Sequence, residues 1–181
     1  MVELIGLIYS LVLGAVITSF TNVVGLRVPR KQSIVTPRSH CPSCGHVLSA
    51  WELIPVFGYV FLRGKCRGCG GRIAPTYPLF ELLGAVGYAY SFWLYGFSLT
   101  TLLAFVFLST LLALAMSDLS TMLVPNVILL FTAPVLLLLA YGAGMAWWSP
   151  VAGAALGFSV LATVFFVSKG DLGLAMSNSL Q

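Results

Sequence analysis

The sequence has little charge and few acidic residues. Only 8% of its 181 residues are Asp, Glu, Lys or Arg, and the acidic residues number five. Soluble proteins average about 25% charged residues, so a surface facing water cannot be built from this composition. Hydrophobic residues make up 59% of the chain, and the mean hydropathy is +1.01. The composition therefore excludes an ordinary soluble domain and indicates that the lipid bilayer is the main solvent.

Basic residues are missing from most of the chain. Eight of the nine Lys and Arg residues lie between Arg27 and Arg72, and the ninth is Lys169. No recognition helix or basic stripe with interleaved aromatic residues accompanies them, so we predict no nucleic-acid partner. A basic block beside apolar segments is instead a topology signal, because loops rich in Lys and Arg stay in the cytosol.

The N-terminus lacks the positive charges that open a secretory signal peptide. Met1, Val2 and Glu3 precede an apolar run that is longer than a typical signal-peptide core. We therefore expect residues 1–26 to remain in the protein as a first transmembrane helix.

Five apolar runs are long enough to be predicted as membrane spans, at residues 4–26, 77–96, 98–117, 124–142 and 150–168. They predict an all-α polytopic helix bundle with about five transmembrane helices and a small cytosolic loop. The predicted organisation is a first helix at 1–26, a loop at 27–75, helices two to five within 76–171, and an atypical tail at 172–181. With the basic loop in the cytosol, the N-terminus lies outside and every Lys and Arg lies inside.

Four cysteines lie in the loop as two C-x-x-C pairs, Cys41 with Cys44 and Cys66 with Cys69, separated by 21 residues. This spacing predicts a zinc site, and four thiolates would complete a tetrahedral shell with no open position, which makes the metal structural. The alternative is two disulfides, and the reducing cytosol argues against it. We interpret His40 and His46 as loop residues, because the cysteines already supply four ligands.

Few ionisable residues lie in or beside the apolar runs. Asp118 follows the third run and Asp171 follows the fifth, both on the predicted cytosolic side. Such a pair can form an aspartic-protease dyad that shares a proton, with partial burial and a helix end favouring protonation of Asp118. The alternative for Asp118 is a solvated residue in a short turn. Glu81 is expected to pair with a basic loop residue or to line a polar cavity with residues 18–22, and simple helix packing is the alternative for residues 18–22.

Three stretches occur in order within residues 14–126. They are residues 18–24 with Arg27-Val28-Pro29, the cysteine loop with its flanks at 52–55 and 75–82, and residues 118–125. Together they resemble the type IV prepilin peptidase family, membrane aspartic proteases of the GxGD type. In this resemblance, residues 118–125 correspond to the motif of the first catalytic aspartate.

The resemblance implies an aspartic endopeptidase of the bacterial inner membrane that removes leaders from prepilins and pseudopilins at the cytosolic face. Many members also methylate the new N-terminus with S-adenosylmethionine, so that cofactor is implied by resemblance alone. The rival interpretation is a non-catalytic, membrane-anchored zinc-knuckle protein with a binding or assembly role.

The resemblance changes at residues 168–176, where the family has a second aspartate in G-x-G-D. In the register that we prefer, residues 173–176 occupy this motif, and Met176 takes the place of the catalytic aspartate. The other register uses Asp171, with Ser168 in place of the first glycine. We therefore expect a truncated or altered member of the family with impaired cleavage.

Overall fold

The computed structural model describes residues 1–146, 148–157 and 159. Its helices are α1 (Val2–Arg27), α2 (Phe57–Phe61), α3 (Thr76–Tyr95), α4 (Leu99–Thr121) and α5 (Asn126–Gly142). Two isolated antiparallel bridges are the only β-type pairing in the described residues. The predicted all-α class is confirmed, while α2 inside the loop was not predicted.

The long helices form one compact unit, Met1–Ala143. Helix α1 packs against α3 and α4, α3 packs against α4, and α5 packs against α4. Residues 28–75 connect α1 to α3 and contain both cysteine pairs and α2; we call them the cysteine loop. A second unit begins at Gly144, and residues 149–157 within it are helical.

Small and polar residues form the buried face of α1. Gly14 lies so close to α3 that a Cβ atom there would be 2.5 Å from the carbonyl oxygen of Gly84. A Cβ atom on Gly84 would in turn be 1.7 Å from Oγ1 of Thr18. Such close backbone contact is typical of membrane helices. The buried residues of α1 recur every three or four positions: Gly6, Ser10, Gly14, Thr18, Asn22 and Gly25.

The outer surface of the bundle is apolar. Helix α5 buries only Ile128 and Ala140 within the described structure, and many of its large apolar side chains are exposed. The buried core is correspondingly small, with Phe80, Leu112 and Met116 at its centre. An exposed apolar surface of this extent matches a lipid environment better than water.

Two described helices, α1 and α4, are long and apolar enough to cross a membrane. Helix α5 is shorter, with 17 residues, and α3 contains Glu81 and four tyrosines, which reduce its hydropathy. Four of the predicted runs therefore form helices, but the five membrane spans stay a prediction. The fifth run continues past the described residues. Outside them also lie Lys169, Asp171, Met176 and the tail at 172–181.

Candidate functional site

The first cysteine pair lies in a tight hairpin, residues 40–47, which we call the first knuckle. His40 and Val47 form an antiparallel bridge at its base. The backbone amide of Cys41 donates to the carbonyl of His46 over 2.9 Å, and the amide of Gly45 donates to the carbonyl of Cys41 over 2.9 Å. Gly45 has a φ of +72°, a conformation that glycine adopts without steric cost. The hairpin thereby directs two sulfur atoms to one point.

The second cysteine pair repeats this geometry in residues 65–72, the second knuckle. Lys65 and Arg72 form the bridge at its base. The amide of Cys66 donates to the carbonyl of Gly71 over 2.8 Å, and the amide of Gly70 donates to the carbonyl of Cys66 over 2.8 Å. Gly70 has a φ of +69°, close to the value at Gly45. Both knuckles therefore have the same length, hydrogen bonds and turn.

The four sulfur atoms of the two knuckles form one cluster. The Sγ atoms of Cys41 and Cys69 are 3.9 Å apart, as are those of Cys44 and Cys66. All four Sγ atoms lie within 4.8 Å of one another, and no disulfide joins them. A tetrahedral site with metal–sulfur bonds of about 2.3 Å requires sulfur atoms about 3.8 Å apart. The cluster therefore fits a four-coordinate metal ion, as the spacing predicts.

The charges in this cluster favour a bound cation. The backbone amides of Ser43 and Cys44 lower the pKa of the Cys41 thiol to about 6, because they stabilise its thiolate. The amide of His46 pulls the pKa of Cys44 down, but contacts with neighbouring thiols and burial outweigh it and raise that pKa to about 12. Without a metal, the thiol of Cys41 thus loses its proton easily while that of Cys44 retains it. A metal ion binds thiolates, so metal binding at this cluster would be coupled to proton release.

A buried carboxylate supports the first knuckle. Glu52 Oε2 accepts hydrogen bonds from the hydroxyl and the backbone amide of Ser49, the latter over 2.8 Å. It also lies 3.5 Å from Nε2 of His46. The Ser49 hydroxyl and amide, together with His46, hold the pKa of the Glu52 carboxyl below its usual value. Neither Glu52 nor Ser49 was predicted to have a role, although their Ser-x-x-Glu spacing was an available signal.

Asp118 lies in the last turn of α4, which continues to Thr121 and does not end at Asp118 as predicted. Its side chain is exposed, and within the described part of the chain the partial burial that we considered is not found. Met122, with a φ of +54°, ends the helix by donating its amide to the Asp118 carbonyl over 2.8 Å. The neighbouring Ser117 is buried and donates to the carbonyl of Leu123 over 2.6 Å. The backbone around Asp118 is therefore fixed, while its carboxylate has no hydrogen-bond or ion-pair partner in the described residues.

Asp118 lies at the end of the bundle from which the cysteine loop emerges. Gly25, near the end of α1, is in contact with Ala113 and Met116 of α4. Phe80, in the second turn of α3, packs against Met116 as well. Since the loop joins the end of α1 to the start of α3, Asp118 and the loop share one end of the bundle. The side of a membrane on which this end lies stays a prediction.

Glu81 joins the cysteine loop to the bundle. Its Oε2 atom accepts a hydrogen bond of 2.7 Å from the backbone amide of Val56. No described Lys or Arg forms an ion pair with it, contrary to one of the alternatives that we considered. Among residues 18–22, Thr18 is buried against Gly84 and Asn22 donates to the carbonyl of Tyr77 over 3.3 Å. Helix packing therefore accounts for Thr18.

Two family models match consecutive parts of the chain. The bacterial peptidase A24 N-terminal domain matches residues 12–95, and the type IV leader peptidase family matches residues 105–177. The chain belongs to the type IV leader peptidase family. The first match contains the whole cysteine loop, and the second contains Asp118 and extends past Asp171. This membership confirms the family that the sequence resembles, and it is a family of proteases.

Curated relatives of this family carry the name prepilin leader peptidase/N-methyltransferase. The protein of Bacillus subtilis (strain 168) is 38% identical over 163 residues, which cover 90% of this chain and 66% of the relative. That of Myxococcus xanthus (strain DK1622) is 43% identical over 155 residues, with 83% of this chain and 45% of the relative covered. The chain thus spans from about half to about two thirds of the length of these relatives. No solved structure matches the chain.

Proposed function

We propose that this chain is a membrane aspartic endopeptidase of the prepilin leader peptidase type, with Asp118 as one catalytic carboxyl. The observation that carries the proposal is the consecutive match of both family models along one chain, with Asp118 inside the second. The position of Asp118 supports it, because an exposed carboxylate on a fixed backbone can reach a substrate. Its substrates would be prepilins, as the names of the relatives indicate, and pseudopilins, as the family resemblance implies.

The chemistry requires two carboxyl groups that share a proton. One ionised carboxylate removes a proton from water, and the other, protonated, donates a hydrogen bond to the carbonyl oxygen of the scissile peptide. The water oxygen then bonds to the carbonyl carbon, and the leaving amine takes up a proton as the carbon–nitrogen bond breaks. Asp118 supplies one of these groups.

The two possible alignments of residues 168–176 with the G-x-G-D motif differ in which residue takes the position of the second catalytic carboxyl. We keep the register that places Met176 in the position of the second aspartate and propose that cleavage by this chain is weak. A thioether neither takes nor gives a proton, and general acid–base catalysis is worth roughly 10²- to 10⁴-fold in rate. In the other register, Asp171 completes the dyad and the chain is fully active.

Co-expression with a prepilin tests both registers, with leader removal measured from the mass of the pilin N-terminus. Our register predicts slow cleavage that Met176→Asp accelerates and that Asp118→Asn abolishes in either background. Full cleavage by the unaltered chain that Asp171→Asn abolishes would select the other register. Cleavage that continues undiminished after Asp118→Asn would overturn the aspartic mechanism itself.

We propose zinc as the metal of the cysteine cluster, in a structural role. Four sulfur ligands at tetrahedral spacing leave no position for a catalytic water. The names of the relatives also include an N-methyltransferase activity, and S-adenosylmethionine would be the methyl donor for it. We assign no residue of this chain to that activity.

We propose that α1, α3, α4 and α5 cross the bacterial inner membrane as part of a five-span protein. The N-terminus would lie outside and the cysteine loop in the cytosol, because eight of the nine basic residues lie within residues 27–72. The lipid bilayer would then cover the apolar outer surface of the bundle.

A second candidate function is a non-catalytic membrane protein whose zinc module binds or assembles with other proteins. The observation that favours it is the lone carboxylate of Asp118, which has no acidic partner among the described residues. The Met176→Asp variant separates the two functions, since restored cleavage requires a peptidase site that is otherwise intact.

A further inference from the structure

One part of the cysteine loop has no charge at all. Residues 53–62 read Leu-Ile-Pro-Val-Phe-Gly-Tyr-Val-Phe-Leu, between Glu52 on one side and Arg63 on the other. We call them the apolar segment. They contain α2, and an uncharged run of about ten residues is too short to span a bilayer. Runs of this length instead form buried helices or interfacial segments.

The apolar segment is not buried in the protein. Phe57 and Val60 are each 63% exposed, and Phe61 is 76% exposed. These three residues have the i, i+3 and i+4 spacing that places them on one face of α2. Gly58, on another face, is buried against the carbonyl of Glu52. Phe57, Val60 and Phe61 therefore point away from the protein.

The apolar segment lies beside α1 well inside its cytosolic end. Leu53, Ile54 and Pro55 line an open groove of about 370 Å³, and the opposite wall includes Val16 and Val23 of α1. At 1.5 Å per residue, Val23 is about 6 Å and Val16 about 16 Å from the end of α1 at Arg27. The segment thus runs alongside the part of α1 that an interface and the outer acyl region would surround.

The hydrogen bond of Glu81 fixes the segment at a similar level on α3. Glu81 follows the first residue of α3 by five positions, or about 7.5 Å along the helix axis. Glu81 accepts a hydrogen bond of 2.7 Å from the amide of Val56. The start of α2 is therefore held beside the second turn of α3, farther along the helix axis than the first residue of α3. Two neighbouring helices therefore place the segment at the same depth.

The backbone of the apolar segment is suited to a place with little water. The amides of Gly58, Val60 and Leu62 donate to carbonyls within the segment over 2.8 to 3.1 Å, and the amide of Val56 donates to Glu81. Satisfied backbone groups are the main requirement for a chain at membrane depth. Arg63 and Lys65 follow directly, are exposed, and complement anionic headgroups.

We propose that the apolar segment dips into the cytosolic leaflet, with phospholipid acyl chains against Phe57, Val60 and Phe61 and anionic headgroups at Arg63 and Lys65. The segment then anchors the cysteine loop to the membrane surface at the end of the bundle that carries Asp118. The inference rests on the proposal that α1 and α3 cross the membrane. Its partner is lipid, because the segment combines an uncharged exposed face, a depth level with both helices, and adjacent positive charge.

Tryptophan quenching in bilayers tests the depth of the segment. All four tryptophans, Trp51, Trp93, Trp147 and Trp148, are replaced by Phe, and Val60→Trp then supplies a single fluorophore. Val47→Trp is the matched control, because Val47 is also an exposed valine of the loop but belongs to the first knuckle. In nanodiscs of phosphatidylglycerol and brominated phosphatidylcholine, we expect lipid to quench most of the Val60→Trp fluorescence and little of the Val47→Trp fluorescence.

A third protein that keeps only the native Trp93 separates the two proposals. Trp93 is 68% exposed on α3, so quenching of its fluorescence reports whether α3 itself is in the bilayer. Quenched Trp93 with unquenched Val60→Trp would overturn the interfacial segment and leave the spanning proposal intact. Unquenched Trp93 would overturn both. A Val60→Trp emission that ignores lipid and shifts only when a prepilin is added would assign this face to the substrate instead.

The unaltered chain provides an independent measurement. Nanodiscs that contain a lipid with a photoreactive acyl chain should attach adducts to residues 53–62 after illumination, and fragmentation mass spectrometry locates them. Adducts on the helices but none in this segment would overturn the proposal even where a tryptophan variant fails to fold.

Discussion

The helix bundle and the cysteine loop of this chain are stabilised in different ways. In the bundle, the backbones of α1 and α3 touch at Gly14 and Gly84, so the fit depends on the absence of side chains. In the loop, the buried side chains are those of Cys41, Cys66 and Glu52, and many of the large apolar residues are exposed. The bundle is thus specified by close packing, whereas the loop is specified by metal ligands and polar contacts. The two regions should therefore fail under different changes.

Loss of one sulfur ligand should have the largest effect, and only on the loop. We expect Cys41→Ser to reduce bound zinc from one ion per chain to almost none and to unfold residues 28–75, because a structural zinc site contributes about 10–16 kcal/mol in isolated zinc-finger peptides. Metal analysis and amide hydrogen exchange measure the two effects. Ser43→Ala, an exposed change in the same knuckle, should retain the metal. A loop that stays protected without metal would show that the cluster is not what folds it.

A methyl group at the closest helix contact should destabilise the bundle and spare the loop. In Gly84→Ala the new Cβ atom would lie 1.7 Å from Oγ1 of Thr18 and 3.0 Å from the carbonyl of Gly14, so a helix must move. We expect a loss of about 1–3 kcal/mol in unfolding free energy, typical of overpacking. Gly87→Ala is the control, because the atoms nearest to its Cβ atom belong to the flexible Leu108 side chain and not to a backbone. Equal thermal stability of the two variants in detergent would contradict this account.

Removal of the hydrogen bond between Glu81 and Val56, which joins the two regions, should destabilise the loop locally without releasing its metal. Glu81→Ala leaves the amide of Val56 without its acceptor, which costs about 1–3 kcal/mol when the group stays buried. We expect faster amide exchange in residues 53–62 and an unchanged zinc content. Glu81→Gln keeps an acceptor oxygen, so the amides of residues 53–62 should exchange more slowly in this variant than in the alanine variant. Loss of zinc in Glu81→Ala would mean that the cluster depends on the bundle.

The smallest effect concerns a contact within the loop. The guanidinium of Arg67 lies 5.3 Å from the ring centre of Trp51, and such an exposed cation–π pair contributes about 0.5–1 kcal/mol. Arg67→Ala and Trp51→Leu should each lower the chelator concentration at which the loop unfolds. The double variant should lose less than the sum of the single losses. Full additivity would show that the two side chains do not interact.

The sequence was most informative where one physical requirement dominates. Apolar runs predicted four helices to within a few residues, except that α4 continues past Asp118 to Thr121. The C-x-x-C spacing likewise predicted the four-sulfur cluster, since metal ligands must converge. The apolar runs are local in sequence. The two cysteine pairs lie 21 residues apart, and a shared metal ion is the requirement that brings them together.

Contacts between distant segments could not be predicted in this way. The hydrogen bond between Glu81 and Val56 joins residues 25 positions apart, and nothing in the sequence marks their pairing. For α2, five residues are too few for helical periodicity to be recognised. The positions of Asp171 and Met176 in the catalytic motif stay predictions, because both lie outside the described residues.

The two knuckles amount to an internal duplication of an eight-residue half-site. Each has the pattern x-Cys-x-x-Cys-Gly-x-x, with the same bridge at its ends and its glycine at a φ near +70°. Cys41 faces Cys69 while Cys44 faces Cys66, the exchange expected of two equivalent units related by a local twofold axis. The halves should therefore be interchangeable parts. A chain in which residues 41–46 and 66–71 trade places would retain every ligand and turn, and it would be a starting point for grafting this cluster onto other scaffolds.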